Sequence, residues 1–558
     1  MPYDITVFEF NEEEDLKKHP VWFLDGTHSV PSLTPMSGWL WVQACRHGMQ
    51  VGAERLHLPT VKGWDWRLHR GGAYMALLIV EDEEEIAERT EKFRQELVPF
   101  LEDYTGTWQK MIDEMVAHYD RLKACDVDNV SNIELFEHFD DSIRVCYRMW
   151  ELHMYMMYLV DGVFILFEQI CKELLDIDDT NADFHKLMRG FDNKVFQIDK
   201  KLYEFSKRAQ ELGLAEAILN SNPGEYVKSM EMHPNYKTFI DEFKAFLWDN
   251  GWRGSRFTEL MAPLWVEDPN LALFNVYQFL KKGGDFDLDS ARLTLAAERA
   301  ELEKQIQAKI PEEQRDWFTS IMRLAQQSSS FSEEHGHYFD LWSQAMVRRA
   351  CTAWGKRLVT AGTIDNPDDV FFLIPEEIRK VAHNPEWFDL RNTVKRRRGE
   401  FEEWQKEPNP PMISRITMDE AMGYLVKSND PIALKVVVGA FPVAKPELKA
   451  DLYGVSGSPG VAEGVARVVI TDEDLVNIQE GEILVAPATY VSWTAIFPLL
   501  AGVVVDRGAS LSHAAIVGRE YGIPVVMNTF EGSMKIKTGQ RIRVDGDFGV
   551  VYFLDKGN

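Results

Sequence analysis

Between Gly502 and Asn528 the chain reads GVVVDRGASLSHAAIVGREYGIPVVMN. Gly502–Val505 is short, β-branched and bounded by turn residues, which predicts a buried strand. Asp506, Arg507 and Gly508 break it. Ser510 or Ser512 can then cap a helix that runs through Glu520, and Gly522 with Pro524 stops that helix. A second strand is expected over Ile523–Met527. A strand, a tight turn and a helix followed by another strand confine this region to an α/β fold.

His513 falls in the first turn of that helix. Neutral imidazole is a nucleophile near pH 7. A phosphoryl group taken up there would meet free backbone N–H groups and the positive end of the helix dipole. Gly508 permits close approach of the chain, and Ser510 and Ser512 offer donors. A capped turn with an incidental histidine would read the same over those few residues alone.

The longer run, Gly508-x-x-x-Ser512-His513-x-Ala515-Ile516-Val517-x-Arg519-Glu520-x-Gly522-Ile523-Pro524, resembles the phosphohistidine signature of the dikinase-type phosphotransferases that use phosphoenolpyruvate. Upstream, Gly454–Gly460, Gly464–Ala466 and Gly481–Ala486 are similar to the opening strands of the family's carrier domain. The resemblance implies that His513 is phosphorylated and that its domain, residues 452–558, swivels between two sites. It also implies phosphoryl contacts from Gly508, Ser510, Ser512 and Arg519. Leu511 stands where the pyruvate enzymes of the family carry threonine, and is closer to the rifampin phosphotransferase and phenylphosphate synthase branches.

The expected fold class is multidomain: a large, mainly α-helical acceptor domain plus the C-terminal α/β phosphohistidine swivelling domain. Residues 1–81 read as a mixed segment packed on the helical body, with a strand at Tyr74–Val80. Its Trp/Asp-Gly and Trp/Arg/His patches suit either a pocket or a fastening. Residues 82–406 read as helical. Glu83–Met115 has helical spacing, as does Phe136–Val160. Trp150, His153, Met154 and Met157 share one helix face, suited to an apolar substrate or to a core with one satisfied histidine. Gly283-Gly284 reads as a surface turn. Residues 407–451, with Pro408, Pro410, Pro411, Pro431, Pro442 and Pro446, read as a semi-rigid swivel linker, interrupted by an amphipathic piece at Met418–Lys427.

Two helical stretches carry further chemistry. Gly251-Trp252-Arg253-Gly254 and Trp265-Val266-Glu267-Asp268-Pro269 are similar to segments of the rifampin phosphotransferase type, with Trp252 in place of a histidine. Arg253 can clamp a phosphoryl group or form a salt bridge with Glu259 or Asp249. Glu333, Glu334, His335 and His337 read as the opening of a helix running to about Thr360, with Asp368–Leu373 extended beyond it. An acceptor hydroxyl must lose its proton, and histidine suits that task. His337 is the first choice as base and His335 the second, with Glu334 orienting one of them. The two histidines are i, i+2 and face differently, so no metal site is expected.

Composition sets the outer limits. The net charge of −28, from 61 basic and 89 acidic residues, disfavours nucleic acid and anionic membranes as partners. The short basic run Lys395–Arg398 reads as a solvated helix face. Five scattered cysteines without a CxxC pair suit a reducing cytoplasm. The acidic start is unlike a signal peptide, and no apolar run is expected to span a membrane.

Neither an ATP-binding domain nor a phosphoenolpyruvate barrel is read in these residues. The resemblance therefore implies a separate ATP-grasp-type subunit, with Mg2+ at its own site. That subunit would load His513 from ATP and release AMP and phosphate. His513 would then pass the group to a small hydroxylated acceptor, aromatic or apolar as in phenylphosphate synthase. An antibiotic acceptor, or a non-catalytic phosphorelay, are the alternatives.

Overall fold

A computed structural model of the chain describes residues 8–555, apart from 27, 30, 179–180, 255, 257, 284–287, 408, 435–445, 471 and 509. Gly284, Pro408 and Pro442 therefore lie outside the described residues. The chain packs as two compact units. One comprises Met1–Tyr158, Arg256–Pro263 and Tyr338–Asp430, and the other Leu159–Ser255, Leu264–His337 and Pro431–Asn558. Their borders fall inside the stretch read as one helical body, because its helices pack with different partners along the chain.

The first unit is built on an antiparallel four-stranded sheet. Its order is Val61–His69, Gly72–Ile79, Val21–Leu24 and Met412–Ser414. Three of these strands, Val21–Leu24, Val61–His69 and Met412–Ser414, were not expected. Val61–His69 is masked in sequence by its polar residues, yet Trp64 and Trp66 are fully buried in it. Met412–Ser414 corrects the linker reading: the start of that Pro-spaced stretch is a strand registered on Val21–Phe23. Pro410 and Pro411 offer carbonyls there, to Tyr74 Oη (2.7 Å) and to the Leu24 N–H (2.9 Å). Trp22 Nε1 donates to the Asp15 carbonyl, and Trp41 meets Trp150 of the helical stretch edge-on at 5.0 Å.

Glu83–Met115 is two helices, Glu83–Glu102 and Tyr104–Lys123. Asp82 caps the first by accepting from Glu85 N–H, and three glutamates follow in its first turn. The basic run is not simply solvated. Arg397 is buried, bonding Glu377 and the Phe372 carbonyl, and Arg398 reaches Asp369. The segment expected to be extended is a 3-10 helix, Pro367–Phe372, because Asn366 and Asp369 cap each other's backbone.

One helix, Asn132–Leu175, is long and apolar enough to cross a membrane by length and composition, contrary to expectation. Within its most apolar window 67% is buried inside the protein, which is how a long core helix satisfies the same pattern.

The second unit joins helices to an eight-stranded sheet. The sheet order is Leu452–Tyr453, Val550–Phe553, Arg541–Asp545, Val461–Val468, Ile483–Ala486, Gly502–Val505, Val525–Met527 and Val455–Ser458. The central four strands from Val461–Val468 to Val525–Met527 are parallel, and the flanking pairs antiparallel. Ile483–Ala486, Gly502–Val505 and Val525–Met527 are buried along their whole length, which explains their unbroken apolar runs, whereas Val461–Val468 is largely exposed or half-buried. The helix His513–Tyr521 lies between Gly502–Val505 and Val525–Met527 in the chain. Gly522 closes it in the left-handed conformation (φ +66°).

The expected helix opening at Glu333 is corrected. Arg315–His335 is already helical, continues through a π turn at Gly336–Leu341, and proceeds as Trp342–Thr360. Ser332 and the two glutamates look like a capped first turn. Phe318, Met322 and Ala325 are nevertheless buried at i, i+4, i+7 before them, and that stripe holds the helix. A π turn inside a helix is a local strain that often accompanies a site.

Candidate phosphoryl-carrier site

Ser512 precedes the helix in an extended conformation (φ −77°, ψ 158°), so His513 is its first residue. Ser512 makes no side-chain cap bond to it. Ser512 Oγ approaches Met527 Sδ at 3.3 Å, and Ser510 is buried with its carbonyl accepting from Arg519 (2.8 Å). Arg519 also donates to the Gly457 carbonyl (2.8 Å). Its buried guanidinium therefore ties the loop and the strand Val455–Ser458 to the helix. Gly508 has φ +150°, and a Cβ there would meet Ser512 Oγ at 2.9 Å. Its N–H donates to Asn528 Oδ1 (3.1 Å), and Asn528 Nδ2 returns a bond to the Gly508 carbonyl.

The imidazole of His513 is held from both sides. Nδ1 lies 2.9 Å from Thr489 Oγ1, and Nε2 lies 3.1 Å from Thr494 Oγ1. Phe497 meets the ring edge-on at 5.8 Å. Burial, and then the charge of Arg253, push its pKa down to about 3. The ring is neutral at pH 7 with one nitrogen lone pair available, as a nucleophile requires. Sequence reasoning missed Thr489 and Thr494. They follow the strand Ile483–Ala486 in an irregular segment and a 3-10 helix, Val491–Leu499, where no periodicity marks them.

Arg253 belongs to the same unit and is 1% exposed. None of its three guanidinium nitrogens has a hydrogen-bond partner among the described residues. It lies 3.9 Å above the Trp265 ring, and the Trp265 N–H donates to the Arg253 carbonyl (2.9 Å). Glu259, named with Asp249 as a salt-bridge partner, accepts from Thr34 and Ser37 within its own unit. Burial lowers the Arg253 pKa to about 10, against the pull of Asp199 and Glu333. A buried, unsatisfied cation is costly, and its five donors in a rigid fork match a phosphoryl group.

The acidic and histidine cluster divides in function. Glu334 Oε1 accepts the Lys194 N–H at 3.0 Å, so it caps the helix Lys194–Glu211 beside Asn193, whose Oδ1 accepts from Phe196 N–H. His335 ends the helix Arg315–His335 and is half-buried. His337, in the π turn, is 1% exposed. Burial, then Arg253 and Lys194, hold its pKa well below the ordinary value. Glu333, named in the sequence but given no role, has Oε1 3.9 Å from His513 Nε2.

The carrier helix is anchored to the helical segment of its own unit. Glu520 Oε2 accepts from Gly190 N–H (2.8 Å) and Phe191 N–H (3.0 Å). Tyr521 Oη donates to Asp199 Oδ2 (3.4 Å), and Ser332 Oγ donates to the Leu511 carbonyl (3.2 Å).

The candidate substrate-binding residues divide between the two units. Trp252 is buried, with Nε1 donating to the Trp248 carbonyl (2.6 Å). Trp150 and His153 lie in the first unit, stacked at 4.6 Å, with His153 Nδ1 2.7 Å from Asp340 Oδ1. Met154 is buried beside them and Met157 half-buried.

Residues 478–549 match the mobile domain of PEP-utilising enzymes, and residues 151–333 match the fourth domain of rifampicin phosphotransferase. Chondramide synthase cmdD of Chondromyces crocatus is 28% identical over 96% of this chain and 14% of its own length. The uncharacterized phosphotransferase YvkC of Bacillus subtilis is 26% identical over 67% of this chain and 44% of its length. A rifampicin phosphotransferase of Streptomyces sviceus is 33% identical over 39% of this chain and 23% of its length. The chain thus spans less than half the length of each of these relatives.

Proposed function

In a chain that carries domains of the PEP-utilising phosphotransferase family, we propose that His513 accepts a phosphoryl group and passes it to the hydroxyl of a small acceptor. The observation that carries this reading is the neutral, threonine-held imidazole at a helix start, in one unit with a buried guanidinium that lacks a hydrogen-bond partner among the described residues. Arg253 supplies the charge for the phosphoryl oxygens, and the helix N-terminus supplies backbone N–H groups. A separate ATP-grasp-type subunit, using ATP and Mg2+, loads the histidine. The acceptor is a phenol or similar apolar alcohol. Five free cysteines suit a reducing, cytoplasmic setting.

A second acceptor class is favoured by the match of residues 151–333 to the rifampicin phosphotransferase segment: a larger, antibiotic-like alcohol taken by the same carrier chemistry. The test is incubation with β-labelled ATP, the candidate partner, and panels of phenols and antibiotic alcohols. Label should pass through an acid-labile, base-stable phosphohistidine to one panel. Phospho-His513 that forms and never discharges to any hydroxyl would instead make the chain a relay protein.

A further inference from the structure

The carrier reading leaves one buried group beside His513 without a role. Glu333 is 5% exposed on the helix Arg315–His335, and its Oε1 accepts no hydrogen bond from the described residues. At 3.9 Å from His513 Nε2, that oxygen is within reach of any group bonded to Nε2 and of a hydroxyl attacking it. Glu334, one residue on, is spent on the Lys194 N–H.

We propose that Glu333 is the catalytic base of the transfer step, accepting the proton of the acceptor hydroxyl as its oxygen attacks the phosphoryl group on His513. The role rests on the reading of His513 as carrier. In that step the O–H bond breaks and its proton goes to the Glu333 carboxylate. The new O–P bond forms while the P–Nε2 bond breaks, and its electron pair returns to Nε2 as the lone pair of neutral imidazole. Nδ1 keeps its hydrogen toward Thr489. No other reactant is needed.

The surroundings suit a base stronger than a solvated carboxylate. Burial first, then Asp199 on the helix Lys194–Glu211 and Glu520 on the carrier helix, raise the Glu333 pKa to about 8, against Arg519 and Arg253. A base with its pKa near the working pH is the effective one. His337, expected as the base, is depressed far below that range by burial, Arg253 and Lys194.

Phosphoramidate, a small phosphoryl donor, labels His513 without the ATP-dependent partner and so isolates the second step. The native chain and Glu333→Gln should label equally. Discharge of the native phosphohistidine to phenol, and to water, should rise with pH and level above about 8. Glu333→Gln should discharge roughly a hundredfold more slowly, without that rise, and Glu333→Asp should regain the pH profile. A 31P resonance titrating near pH 8 in the native phospho-form and not in Glu333→Gln gives a readout independent of the acceptor. Equal labelling with native discharge and native pH profile in Glu333→Gln overturns the assignment of Glu333 alone. Failure of His513 to label in a folded native chain overturns the carrier reading, and the base with it.

Discussion

At the scale of single residues, His513 is kept neutral by burial first and by the charge of Arg253 second. An imidazolium beside a buried guanidinium repels it, and burial penalises both. The result is a neutral nucleophile and a cation kept in reserve for an anion. Replacing Arg253 by Met keeps most of the volume and removes the charge. The His513 pKa should then rise from about 3 toward its ordinary value, read by NMR titration of the ring nitrogens. Transfer should fall by about 10²–10³, the loss typical when one preorganised charge-stabilising donor is removed. His513→Ala should take up no acid-labile label at all, measured by acid and base partition of bound phosphate.

At the scale of elements, the carrier helix starts where its sequence says, but what orients its first residue is remote. Thr489 and Thr494 come from the segment after Ile483–Ala486 and bracket the ring. Thr489→Val removes one hydrogen bond of about 1 kcal/mol. The balance between the two ring tautomers should shift, visible in 15N shifts, and loading should slow roughly fivefold. Glu334 gives the contrasting case. It bonds the first N–H of the helix Lys194–Glu211, so Glu334→Ala should cost about 1 kcal/mol of stability and leave labelling of His513 intact. A collapse of transfer with unchanged thermal stability would restore the catalytic orienting role expected from sequence.

At the scale of the molecule, the second unit holds the carrier helix against its helical segment through Glu520, Tyr521 and Leu511. Glu520 is buried and its pKa is raised from 4.5 to about 7, by burial first, with the Gly190 and Phe191 N–H groups and Arg519 opposing. A carboxyl whose folded pKa is raised binds more protons folded than unfolded. Its contribution to stability is full below about 4.5 and is lost as pH rises through about 7. Glu520→Gln cannot ionise. Native stability should therefore fall relative to Glu520→Gln between those pH values, measured by denaturant unfolding at fixed ionic strength. Hydrogen exchange at Gly190 and Phe191 should quicken in Glu520→Ala.

The sequence alone determined the strand, turn and helix around His513, because those rest on local rules: β-branched runs, a glycine turn, a left-handed cap at Gly522. It also marked Arg253 as a phosphoryl clamp or a salt-bridge partner. It misread the helix at Glu333, where an acidic cluster imitates a cap inside a longer apolar stripe, and the strand Val61–His69, whose polar residues hide two buried tryptophans. Only the tertiary structure decided that Arg253 has no hydrogen-bond partner among the described residues, that Arg519 serves carbonyls, and that Glu333 stands beside His513. Those facts depend on which distant segments meet and on what burial does to charges once they have met. No local pattern in a chain encodes either.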